Sequence, residues 1–185
     1  MTSGFLTAHM TSHIVAMNLL APALVLAAQR FLPVTGAPLW LPAATFCQMT
    51  LLWGWHMPVV LEQAMHSPML MALMHLSLFV VACWFWTGIV AAMRQGEWQP
   101  LPALLITGKL FCLLGVLLVF APRPIYAMAG PVDPMLLVDQ QFAGLLMLTA
   151  CPLVYVSVAI ITARRWLRRV DSTAWRPARN GGDAG

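Results

Sequence analysis

Five apolar stretches, each close to the length of a membrane-crossing helix, set what this chain can fold into. They run roughly over residues 9–28, 42–61, 68–93, 101–121 and 139–163. At a rise of about 1.5 Å per residue, roughly 20 apolar residues cross a hydrocarbon core of about 30 Å. Inside that core each backbone N–H and C=O needs a partner from the protein, and a helix supplies all of them within one stretch. Charge is too sparse for the alternative of a water-facing surface: 9% of residues are charged, where soluble domains carry about 25%. The chain is therefore read as an all-α, polytopic transmembrane helical bundle of about five spans. Residues 1–170 are expected to form a single domain, followed by a flexible tail at 171–185. The connections at 30–41, 62–67, 94–100 and 122–138 are short and rich in Pro, Gly and polar residues, so consecutive spans are expected to be antiparallel neighbours. The N-terminus has no basic leader region, and no cleavable signal peptide is expected.

Basic residues orient the bundle. Placing the C-terminus in the cytoplasm puts eight arginines there: Arg30, Arg94, Arg164, Arg165, Arg168, Arg169, Arg176 and Arg179. The other side then holds Arg123 with the acids Glu62, Asp133 and Asp139. Positive residues favour the cytoplasmic side, so the N-terminus is read as outside and the C-terminus as inside. Six of the ten basic residues fall in the C-terminal segment. That clustering suits an anchor beside anionic lipids, not a nucleic-acid surface. The expected location is the bacterial cytoplasmic (inner) membrane, crossed several times.

This orientation gathers all five histidines at the outer mouth: His9, His13, His56, His66 and His75. Imidazole is a common transition-metal ligand and a proton carrier. His9 and His13 stand four residues apart in HMTSH, which puts them on one helix face. Such a pair can hold one metal ion, form part of a proton path, or face water at a helix start. His56 sits in LLWGWHMPVVLE, in the outer third of the second stretch, just before Pro58. It is either a functional intramembrane group or a histidine bonded to a carbonyl that the proline frees. His75 lies about two turns into the third stretch, with Met71 on its face. Thioether and imidazole together suit the soft ion Cu(I), with Met71 and Met57 as soft ligands; gap-filling is the other reading of these methionines. Asp139 opens DQQFAG and either caps its own helix or supports a histidine from behind. His66 falls in an outer loop. The metal candidates are thus His9, His13, His56 and His75.

Other chemistry is sparse. Cys47, Cys83, Cys112 and Cys151 are distributed one to a stretch, with no CxxC, and read as inert thiols. Lys109 lies deep in the fourth stretch with no carboxylate at matching depth, and snorkelling toward the cytoplasm is its simplest reading. There is no Ser-His-Asp order, phosphate-binding glycine loop or carboxylate pair, so no enzyme activity is expected.

HMTSH, APALVL, WGWHMPVVLEQA, MHLSLFVVACWFW and DQQFAGLLML follow one another in this order. Together they resemble the CtaG-type assembly factor of caa-type cytochrome c oxidases, from His9 to about Tyr155. The resemblance implies a multi-pass membrane protein that matures a haem–copper oxidase, handling or delivering copper. Its partners would be oxidase subunits or other assembly factors. Carried over by motif, His9, His13, His56 and His75 would be the ligands, with Asp139 and Gln140 behind them. Where that pattern has a further His and a Glu, this chain has Met71 and Met74, which implies a softer, more Cu(I)-like site. Two other functions stay open on the residues alone. One is a membrane cytochrome holding haem b between histidines. The other is a metal-free scaffold for oxidase subunits, with Ala143 and Gly144 permitting close helix contacts.

Overall fold

The computed structural model describes residues 4–29, 40–126 and 134–174. Arg30, most of the first connection, and residues 175–185 of the expected tail lie outside the described residues. The fold is an all-helical multi-pass membrane bundle. Its helices are α1 (Phe5–Ala28), α2 (Trp40–Trp55), α3 (Pro58–His66), α4 (Pro68–Gln95), α5 (Pro100–Phe120) and α6 (Pro134–Ala174). Four of them, α1, α4, α5 and α6, are long and apolar enough to cross a membrane.

The second apolar stretch departs from the expected single span. It breaks into α2 and α3 at His56 and Met57. Met57 is extended, with φ −61° and ψ 134°, because the Pro58 ring excludes the α conformation from the residue before it. The segment expected as an outer loop at 62–67 is consequently mostly helix, with His66 as the last residue of α3. Ser67 then accepts a hydrogen bond from Leu70 N and starts α4.

Helix α1 carries a wide turn at Ala16–Leu20, where Ala21 N–H reaches back five residues to Ala16 O. Continuing this register would require residue 22 to donate to Met17 O, and Pro22 has no N–H. The indole of Trp86 fills the gap, donating to Met17 O at 2.8 Å. One side chain of α4 thus satisfies the carbonyl that the proline leaves open. Trp86 also stacks on Tyr155 of α6 with ring centroids 5.7 Å apart, and Phe111 of α5 lies 5.6 Å from the same tyrosine. Tyr155 is thereby the buried hub of α4, α5 and α6.

Helices α5 and α6 approach through two glycines. A Cβ on Gly144 would meet Gly115 O at 2.7 Å, and one on Gly115 would meet Gly144 O at 3.0 Å. Only hydrogen at both positions lets the backbones come this close. Helix α4 ends at Gly96, whose φ of 78° places it in the left-handed region. Gly96 N–H bonds to Met93 O and Glu97 N–H to Ala92 O, pairing the last carbonyls of the helix. All four cysteines are free; Cys151 is buried and the other three are half-buried.

The two ends of the bundle differ in chemistry. Arg169 donates to Arg94 O at 3.2 Å, joining the C-terminal ends of α4 and α6. His75 precedes Arg94 by 19 residues on α4, which is about 28 Å of helix. The histidine cluster and the Arg94–Arg169 contact therefore occupy opposite ends.

Candidate metal site

Helix α1 presents His9 and His13 on its buried face, with 6% and 4% of their surface exposed. The helix break after Trp55 brings His56, also 4% exposed, against them. His75 comes from the first part of α4 and is half-buried. Ring centroids are 4.4 Å apart for His9 and His13, 5.7 Å for His13 and His56, and 4.4 Å for His13 and His75. Four residues spread over 67 positions of sequence thus meet in one cluster.

Hydrogen bonds assign much of its protonation. His56 Nδ1 lies 2.7 Å from Leu52 O. A carbonyl only accepts, so Nδ1 carries the hydrogen and Nε2 holds a lone pair. That Nε2 is buried without a hydrogen-bond partner. His75 Nδ1 is likewise fixed as a donor to Met71 O, at 2.8 Å. The Nε2 atoms of His9 and His13 are 3.0 Å apart, so one of them donates to the other. His9, His13 and His56 each offer a ring nitrogen, all within 4.8 Å of one another. With metal–nitrogen bonds of 2.0–2.1 Å, a tetrahedral ion separates its ligand atoms by about 3.3 Å. Side-chain movements of the order of 1 Å would bring three imidazoles onto one ion. His75 stands at the edge of this triad, its Nε2 3.1 Å from Ser12 Oγ.

The surrounding groups hold backbone as much as side chains. Asp139 accepts from Leu6 N at 2.8 Å, from Thr7 N at 3.1 Å and from Thr7 Oγ1 at 2.5 Å. It caps the N-terminus of α1, the helix that carries His9 and His13, from a position on α6. Neither sequence reading of Asp139 anticipated a cap on another helix. Gln140 donates to Leu118 O at 3.0 Å and accepts from Ile125 N at 2.7 Å, tying α6 to the end of α5 and the segment after it. Met71 contributes its carbonyl to His75 and its side chain is half-buried. Met57 is 57% exposed, in contrast to the buried histidines.

Two supports escaped the sequence reading. Ser12 donates to His9 O at 2.7 Å and contacts His75; its place inside HMTSH is the only hint. Tyr126 donates to His56 O at 3.0 Å, and burial pushes its phenol up to about 12, so it stays a protonated donor. With two tyrosines in the chain, a lone one in the outer connection was the available signal.

The cytochrome c oxidase caa3 assembly factor (Caa3_CtaG) family model matches residues 1–169. The chain belongs to that family. No curated protein and no solved structure matches it. Family membership agrees with the resemblance drawn from HMTSH, WGWHMPVVLEQA and DQQFAGLLML, and with a helical membrane protein. In this Caa3_CtaG member those motifs lie side by side: HMTSH supplies two of the clustered imidazoles, WGWHM the third, and DQQ the cap and tie of α1 and α5.

Proposed function

We propose that this Caa3_CtaG protein assists cytochrome c oxidase assembly by holding copper, as cargo, at its outer histidine cluster. His9, His13 and His56 bind the ion through ring nitrogens, and His75 is the entry or exit ligand at the rim. The carrying observation is the buried His56 Nε2, a lone pair with no hydrogen-bond partner, on a ring grouped with two more imidazoles whose candidate ligand nitrogens all lie within 4.8 Å of one another. An unpaired buried acceptor is costly unless something takes its place, and a metal ion does so. Neutral imidazoles in a desolvated pocket suit a monovalent ion, since binding adds one charge instead of two. Met71, whose carbonyl holds His75, is the half-buried one of the two proposed thioethers; Met57 would act only at the exposed surface. The role is binding and transfer, without a catalysed reaction. Sidedness follows from the arginine end being cytoplasmic, so copper is met from outside in the bacterial inner membrane, and the oxidase or another assembly factor is the recipient.

The crowded rings favour an ion over haem b, because a porphyrin needs a flat slot between its two axial histidines. The test is copper content of the purified, detergent-solubilised protein after loading with Cu(I). Wild type should retain one equivalent, and His56→Gln and His9→Gln/His13→Gln should retain little. Equal retention by all three would sink the copper reading. A Soret band in wild type that is lost in the variants would favour haem. Normal oxidase assembly in cells carrying the variants would favour a metal-free scaffold.

A further inference from the structure

Lys109 is the tenth of the 21 residues of α5, Pro100–Phe120. About 14 Å of helix separates it from one end and about 17 Å from the other. A helix of this length just crosses the hydrocarbon core, so Lys109 stands near the bilayer midplane. Its side chain is exposed, and so are Leu105, Ile106, Leu113 and Leu117 on the same side of the helix. A lysine stem reaches about 6 Å, less than half of either distance, so snorkelling leaves the ammonium short of both surfaces. Charges at this depth are expected to face an opposite charge or a water-filled cavity.

Among the described residues no acid supplies that charge. Glu62 and Asp139 lie toward the histidine end, Glu97 and Asp171 toward the arginine end, and Asp133 and Asp183 fall outside the apolar stretches. Beside Lys109 runs an apolar groove of about 560 Å³ between α2 and α5, lined by Leu41, Phe46, Met49, Ala103, Ile106 and Leu110. Ile106 lies one turn from Lys109 and Leu110 is its chain neighbour, which sets Lys109 at the edge of the groove.

We propose that this surface docks a transmembrane helix of another protein that carries a carboxylate at the bilayer midplane. Apolar side chains of that helix fill the groove while its carboxylate pairs with Lys109. Depth selects this occupant: a phospholipid phosphate sits at the membrane surface, about half a bilayer away. A second copy of this chain offers no acid at that depth.

The full-length protein in lipid vesicles, carrying a donor fluorophore, tests this with acceptor-labelled single-span peptides. One peptide is leucine-rich with a central Asp, one has only leucine, and one has its Asp two turns off centre. The central-Asp peptide should associate about tenfold more tightly than the other two, the scale of a polar contact between membrane helices. Lys109→Leu should abolish that preference without lowering thermal stability, and Lys109→Asp should transfer it to a central-Lys peptide. Equal binding of the three peptides, or a preference that survives Lys109→Leu, overturns the proposal. So does association between copies of the protein that Lys109→Leu removes. A dependence on anionic lipid content in place of the peptide's Asp overturns it as well.

Discussion

The Asp139 carboxylate accepts the backbone N–H of Leu6 at 2.8 Å, across 133 positions of sequence. A side chain on α6 thereby caps α1, and the same helix end carries His9 one turn further on. Asp139→Ala leaves buried N–H groups of the first turn unpaired and should lower stability by about 1–3 kcal/mol. Asp139→Asn keeps one acceptor oxygen and should lose less. Thermal unfolding in detergent measures both. If Asp139→Ala keeps full stability and loses only copper, its role is at the ion and not at the helix end.

Removing the His56 lone pair should weaken Cu(I) binding more than removing its supports. His56→Ala is expected to reduce affinity by over about 100-fold, since losses from outer groups reach only 10–100-fold. Ser12→Ala and Tyr126→Phe should each fall within or below that outer range. Competition with a coloured Cu(I) chelator reads all three. Protons compete for the same ring nitrogens, so wild-type affinity should fall as the pH is lowered.

The wide turn of α1 offers a double-mutant test. Trp86→Phe removes the donor to Met17 O and should cost about 1–3 kcal/mol for an unpaired buried carbonyl, along with some packing. Pro22→Ala restores a backbone N–H at the residue that cannot donate in the wild type. The Pro22→Ala/Trp86→Phe protein should therefore be more stable than Trp86→Phe alone. Purely additive losses in thermal unfolding would show that Trp86 acts through its ring stacking and not its N–H.

Contact of α5 and α6 depends on two missing methyl groups. At Gly144 a Cβ would lie 2.7 Å from Gly115 O, and backbone atoms cannot turn away as side chains do. Gly144→Ala should destabilise the protein by about 1–3 kcal/mol as the helices part. Gly54, where a Cβ would meet nothing within 4 Å, is the control, and Gly54→Ala should be neutral or slightly stabilising. Equal effects at both positions would mean that the α5–α6 contact carries little of the stability.

Residue order alone made the membrane bundle legible, together with the place of each polar group along the membrane normal. Apolar run length marks the stretches that can build the bundle, and counting residues from each end puts His9, His13, His56 and His75 at one end of it. Pro58 marked a disturbance beside His56, but only the fold turned it into a chain break that brings this imidazole against α1. Tertiary structure also decided that His9, His13 and His56 form the tight triad with His75 at its edge, that Met57 is exposed, and that Asp139 caps a helix other than its own. Depth is one coordinate, and hydropathy read along the chain carries it. The rotation of each helix about its axis, and the identity of the helix it meets, depend on side-chain packing between segments far apart in sequence, and there Gly115 against Gly144 and Trp86 against Met17 set the arrangement.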